Sequence, residues 1–559
     1  NRDFRTAGKL KTGLGYVEAD VKMNLQDSMA FSRYDGKIKL QKFKLGKLLG
    51  MEPMLGTLDA EGNLKGSGFA KKSANIDFDG KVSEIFFNQY LYHKVTLKGN
   101  FQKQLFKGDV ISKDTNLVAT MSGLIDLRSS KPVYQMQGEI THSNLHNIRL
   151  FDPQVSLSTD FELDFKGDRF DDLEGRTVFY NSTLRTPNKP DLHVELVTLT
   201  SENGPGQKRH YKLTSDLVSA EISGEFTPSL LQSQLGQLAN EYALFFQKGA
   251  DERWGYYATH RHETDTKYKA DFTVICHRVD PILARFLPTV QIGENTVFSG
   301  NISKGRTLSV SLEAYPDTLV LGGYHFYQSV FSFQSSKFLG APEVSSSLVF
   351  SSRKQQLNFL TPTENFKLDA LWDQDRINFG LDFKQQGEEN SAHLAGAWAF
   401  EEEGLSLKFK DTYFRILGQD WAMDPANKIT IQGPEWKADR VLVANQNQSI
   451  SLQGSLSNDT TETIKLRANH FQLSTLKPLF ATKTTGELNG EIAIQDWYHH
   501  TRLDSWLLVD SLRLNKFYIG NLQGVGTYLA DDKAMDLNLN LNRLGESVLS
   551  LTGSYKPFE

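Results

Sequence analysis

Apolar and polar residues alternate along most of the chain, and a period of two marks strands with one apolar and one polar face. Ile377, Phe379, Leu381 and Phe383 alternate with Asn378, Gly380 and Asp382, and Met535, Leu537, Leu539 and Leu541 alternate with Asp536, Asn538 and Asn540. The same pattern runs through Leu308, Val310 and Leu312, through Leu192, Val194 and Leu196, and more loosely through Ile76 and Phe78 and through Tyr134 and Met136. Dipeptides that favour turns punctuate it: Asp35-Gly36, Asp79-Gly80, Gly99-Asn100, Asn203-Gly204, Gly300-Asn301 and Gly520-Asn521. The pattern predicts an all-β chain.

One segment departs from period two. Thr227 suits an N-cap and Pro228 the first helical position, and Leu231, Leu235, Leu238, Tyr242 and Phe245 recur at three- and four-residue spacing before Gly249. This predicts an amphipathic helix over 227–249 of about five turns. Such a helix lies on or plugs the edge of a sheet, or else serves a membrane surface or partner. Its polar side is rich in Gln, Ser and Asn and lacks the Lys/Arg face that anionic lipid favours.

A looser device recurs four times: a short apolar turn ends near proline, and a glycine inside a strand pattern follows 12 to 14 residues later. The copies are Leu45 to Pro53 then Gly66, Leu145 to Pro153 then Gly167, Ile282 to Pro288 then Gly300, and Leu473 to Pro478 then Gly490. Each reads as a short helix capping a stack of strands. No linker separates regions of different composition, so residues 1–559 are expected to form one continuous elongated sheet. The start at Asn1 and the end at Glu559 read as cuts within a longer protein.

Composition changes the picture only by exclusion. Across 559 residues, 39% are hydrophobic and 23% charged, and no apolar run approaches the roughly 20 residues of a membrane-spanning helix. A single cysteine rules out an internal disulfide framework and suits an oxidising compartment. With 67 acidic against 62 basic residues, there is no basic field to attract nucleic acid.

Candidate chemistry is sparse. The chain has no glycine-lysine phosphate loop, no Gly-x-Ser-x-Gly elbow and no His-Glu-x-x-His. His142 and His146 are four apart, and His260 and His262 would share a strand face if 258–265 is extended, but neither pair has a recognisable third ligand. Cys276 lies in an apolar strand and reads as a small buried residue. No catalytic residue, metal or cofactor is expected, and the chain reads as a non-enzyme.

What remains is a long supply of apolar strand faces. They either pack against a second sheet, as in a sandwich or barrel, or line a channel too wide for side chains to fill. At about 0.8 kcal/mol per CH₂, an acyl chain in such a channel gains on the order of 10 kcal/mol.

The stretch Phe414 to Ile429, with Trp421, Asp424, Pro425 and Asn427, resembles the Trp-x-x-Asp-Pro-x-Asn segment of TamB-like translocation and assembly module proteins of the Bacteroidota type. Ser449 to Ser457, Phe471 to Leu479 and Gly486 to Gly490 continue the likeness to the wider AsmA-like superfamily, clearest over 405–555. The resemblance implies an elongated curled sheet, the β-taco, with a hydrophobic groove for phospholipid acyl chains. It also implies a periplasmic location, an inner-membrane anchor outside this segment, and contact with an outer-membrane barrel of the BamA/TamA type. The groove would then be lined by Leu192, Val194, Leu196, Leu308, Val310, Leu312, Ile377, Phe379, Leu381, Phe383, Met535, Leu537, Leu539 and Leu541. A phospholipid conduit between the two membranes is the first expectation; an elongated scaffold that assists barrel assembly or secretion without carrying lipid is the second.

Overall fold

The computed structural model describes residues 3–50, 52, 54–68, 73–167, 169–260, 266–357, 361–402, 404–477 and 483–556. Among them, 35 strands are hydrogen-bonded into one antiparallel sheet, so the chain is all-β. By its contacts the chain divides into two compact units: residues 1–230 with 270–288, and residues 231–269 with 289–559. The division falls inside a helix and a strand, with no linker to mark it in the sequence.

The first unit is a meander in which each strand pairs with the next, from Asp3–Thr12 through to Val218–Glu225. Tight two-residue hairpins make this order possible: Asn88-Gln89 and Lys103-Gln104 both have positive φ at each central residue, the twist that matches two antiparallel strands. Five of the six turn dipeptides do not turn. Gly36, Gly80, Gly99, Gly300 and Gly520 lie within strands. The reason is close cross-strand approach. A Cβ on Gly36 would stand 2.2 Å from the Asp20 carbonyl oxygen, and one on Gly520 2.3 Å from that of Asn542.

The second unit continues the pattern from Thr296–Lys304 to Glu546–Tyr555, with two short strands, Gln419–Met423 and Lys428–Gln432, sharing one long neighbour, Gly404–Ile416. Mid-strand residues with φ near +50°, among them Gln328, Asn365, Asp411, Arg440, His470 and Ser511, mark bulges. A bulge bends its strand and frees a backbone N–H. Here a side chain on the next strand takes it: Asn489 Oδ1 accepts from His470 N, and Asn521 Oδ1 from Ser511 N, each at 2.8 Å.

The helix spans Pro228–Gln247 and is followed by a second, Ala250–Thr259. Its buried stripe is Leu231, Gln234, Leu238, Glu241 and Phe245, which shares Leu231, Leu238 and Phe245 with the expected one and replaces Leu235 and Tyr242 with two polar residues. The proline-linked device appears as helices Leu45–Leu49 and Asp280–Phe286, a 3₁₀ turn Leu473–Leu476, and a hydrogen-bonded turn in which Leu150 N donates to Leu145 O. Pro53 and Pro478 lie outside the described residues.

Candidate apolar face and cavity

In an antiparallel pair, residues directly opposite one another point to the same side of the sheet. Following register across the first unit gives a row of fourteen: Phe4, Met23, Tyr34, Gly66, Ile76, Phe101, Phe106, Ile125, Tyr134, Phe165, Gly175, Ser201, Tyr211 and Ile222. Four residues along, the same side carries Ala19, Ile38, Gly62, Gly80, Leu97, Val110, Met121, Gly138, Phe161 and Phe179. The opposite side carries Lys22, Asp35, Lys65, Asp77, Asn100 and Lys107 in register. The sheet of this unit is therefore amphipathic over its whole width.

Among the described residues, consecutive strands of this unit pair only with their neighbours and no second sheet covers the apolar side. Yet Val21, Val82, Ala119 and Phe161 on that side are at most 5% exposed. Leu45, from the helix Leu45–Leu49, packs over part of this side, against Leu58, Ala60 and Val82. An open trough of about 1230 Å³ is lined by Asp35, Lys65, Asp79, Lys98, Asp109 and Glu162 together with Leu64, Phe78, Met136 and Leu163. Its charges alternate in sign, as in the Lys65–Asp35 and Lys98–Asp79 pairs at 3.9 and 3.8 Å. Such exposed pairs contribute little.

The second unit repeats the arrangement over seventeen strands: Ile302, Val310, Ser335, Ser346, Trp372, Ile377, Trp398, Leu407, Ile429, Ala438, Gly454, Ile464, Ile494, Leu503, Tyr528, Met535 and Tyr555 stand in one row. Leu312 and Phe379 belong to the next row, with Phe333, Leu348 and Ala370 between them, and Leu381 to the one after. Leu537, Leu539 and Leu541 fall opposite Gly526, Gly524 and Leu522.

Three of the fourteen expected lining residues are placed otherwise. Leu308 is wholly buried and offers no surface to a ligand. Ile377 is covered by the helix, against the cluster of Phe245, Val344 and Phe400. Leu192 is buried and Val194 half-buried, but Leu196 is 44% exposed. The alternation breaks beside the positive-φ residue Asn181, where the pairing with 195 is missing, and Val197 takes the apolar side opposite Phe179.

The helix meets the apolar side directly. Tyr242 Oη hydrogen-bonds Ser335 and Ser346 Oγ, two members of the row, and Phe245 packs edge-on against Trp372 and Phe400 at 5.1 and 5.2 Å. Beneath it an ion pair is fully buried: Lys337 Nζ stands 2.9 Å from Glu241 Oε2. Gly340 N and Gln237 Nε2 also donate to the Glu241 carboxylate, at 2.8 and 2.7 Å. Burial pulls the Lys337 ammonium below its ordinary pKa, against the opposing pull of Glu241.

The tryptophan-proline motif also has a structural reason. The strand Gly404–Ile416 pairs with Gln419–Met423 at one end and Lys428–Gln432 at the other, leaving Phe409 in the gap. Asn427, wholly buried, fills it: its Oδ1 accepts from Phe409 N at 2.8 Å and its Nδ2 donates to Phe409 O at 2.9 Å. Asp424 closes the turn by accepting from Ala426 N at 2.7 Å. Trp421, 2% exposed, then lies against Phe471 beside an open apolar cavity of about 410 Å³. Phe383, Phe414, Val443 and Ile450 complete its main walls.

No catalytic arrangement emerges among the described residues, and no group of three metal-ligating side chains is found. His146 Nδ1 bonds the Asp152 carbonyl, His260 caps the helix Ala250–Thr259 and so is not in a strand, and His262 lies outside the described residues. Burial raises the Cys276 thiol, which keeps it protonated. No helix among the described residues is long and apolar enough to cross a membrane. Comparison with protein-family models and with curated proteins finds no match.

Proposed function

We propose that the chain is a segment of a TamB-like conduit for phospholipid acyl chains. It would work in the periplasm, with its inner-membrane anchor outside this segment and an outer-membrane barrel as partner. The observation that carries this reading is the predominantly apolar side of each unit's sheet, backed in the first unit by a charged side. In the first unit fourteen strands at roughly 4.8 Å give a contour of about 60 Å along which an acyl chain meets mostly apolar side chains. Successive positions are chemically alike, so a chain moves between them with little change in free energy. The protein needs no catalytic group for this.

Photo-crosslinkers separate this reading from the scaffold alternative. Placed at Phe379, Leu381, Leu537 and Leu539 they are expected to capture phospholipid in cells, while those at Asn378 and Asn538 on the other side are not. Equal labelling of both sets would overturn the conduit. The helix over Ile377 favours the scaffold reading at that position alone, since the apolar side is already occupied there.

A further inference from the structure

We infer that the helix Pro228–Gln247 is a built-in plug in the acyl path of the second unit: it lies where a lipid tail would lie, and lipid enters that stretch only when the helix lifts. The inference rests on the conduit reading and names how its path is closed. From Leu231 on, the helix belongs to the second unit. Phe245 packs with Val344 and Phe400, and Tyr242, Trp372, Ile377 and Leu405 complete the cluster. Its sheet residues come from five consecutive strands: Val344–Gln356, Thr363–Asp373, Arg376–Gln385, Ser391–Glu401 and Gly404–Ile416. At roughly 4.8 Å between strands, the helix covers about 20 Å of the path.

Apolar cover alone could be exchanged for an acyl chain, because both bury carbon. Polar anchors make this cover specific. Ser335 and Ser346 are the two serines of the long apolar row, both are buried, and both hydrogen-bond Tyr242 Oη. Lys337, two residues along the strand from Ser335 and so on the same side, is wholly buried against Glu241 at 2.9 Å. Its ammonium also donates to the Phe338 carbonyl at 2.9 Å and stands 5.0 Å from the ring centre of Tyr257, on the second helix. Arg253 of that second helix stands over the Phe245 ring at 5.1 Å. An acyl chain has no donor or acceptor along its length. In the helix's place it would leave the Lys337 ammonium without its carboxylate and both serines without Tyr242, and an unpaired buried charge is strongly penalised. A lipid by itself therefore does not displace the helix, and the contact is autoinhibitory.

The test uses the whole chain in cells, with photo-reactive benzoylphenylalanine at Trp372 or at Leu539. The Trp372 ring lies 5.0 and 5.1 Å from those of Tyr242 and Phe245, and Leu539 lies outside the helix cluster. In the otherwise unaltered chain, position 372 should join the helix and capture no phospholipid, whereas position 539 captures it. Glu241→Lys sets a second ammonium against Lys337, and Tyr242→Ala with Phe245→Ala withdraws both rings from the row. Each should raise phospholipid capture at 372 by about tenfold or more, since each costs the closed state more than that factor. Capture at 539 in the same variants reports that the strands remain folded. Phospholipid capture at 372 in the unaltered chain as strong as at 539 would overturn the plug. So would no rise at 372 in either variant while 539 still captures. Loss of capture at 539 in both variants would mark the helix as a support of the sheet and equally overturn it. In each of these cases the conduit stands on capture at 539 in the unaltered chain. If neither position captures lipid in any chain, the conduit falls and the plug with it.

Discussion

Breaking the buried ion pair beneath the helix tests how the helix is held on the apolar side. Glu241 and Lys337 are both 0% exposed. Removing one partner of such a pair strands the other charge in low dielectric, which costs about 3–5 kcal/mol. Glu241→Gln and Lys337→Met should each lose about that much. The double variant Glu241→Leu with Lys337→Met removes both charges and leaves only neutral groups, the Gly340 N–H, the Gln237 side-chain amide and the Phe338 and Ala341 carbonyls, without these partners. At about 1 kcal/mol each, it should lose no more than either single variant, a coupling of about 3 kcal/mol. Hydrogen exchange of the amides in Pro228–Gln247 reads the opening of this segment without assuming that both units unfold together. The pH dependence has a definite sign. Burial lowers the Lys337 pKa below its ordinary 10.5, so the unfolded chain binds more protons between the folded value and 10.5. Helix protection should rise with pH across that window and stay flat in Lys337→Met. Additivity of the two single variants to within about 0.5 kcal/mol would refute the reasoning.

Asn427→Ala leaves the Phe409 N–H and C=O buried and unpaired, and is expected to cost about 2–5 kcal/mol in a denaturant melt; Asn427→Asp keeps the acceptor but loses the donor and should not recover it. Gly123→Ala forces a Cβ against the Gln135 carbonyl, so a loss of about 1–3 kcal/mol is expected, whereas alanine at Gly8, which has open space around it, should change stability little. Hydrogen bonds from Arg128 hold the Asp126 carboxyl at about 2, so its small contribution is present above the ordinary 3.8 and is lost as pH falls through about 2; in Arg128→Gln an NMR titration should show the midpoint return toward 3.8. Leu539→Asp should abolish lipid capture at Leu537 while Asn538→Asp, on the charged side, leaves it intact.

Period two was enough to identify the chain as all-β and to mark six of its strands. Met535, Leu537, Leu539 and Leu541 can be read from four residues in alternation, because strand geometry alone sends i and i+2 the same way. Helix 228–247 was likewise visible in its spacing, and Asp424, Pro425 and Asn427 stood out as a motif. Tertiary structure decided what local pattern cannot hold. Leu196 is turned outward by a break in pairing beside Asn181, which lies on another strand. Glycines that read as turns sit inside strands because a neighbouring carbonyl leaves no room for a Cβ. Glu241 is buried because Lys337, in the strand Tyr324–Lys337 far along the chain, meets it there. Trp421 borders an apolar cavity only because Phe383, Val443 and Phe471 arrive from three other strands. Alternation is a property of neighbours in sequence; burial, charge pairing and enclosure are properties of neighbours in space, and only the folded register brings those together.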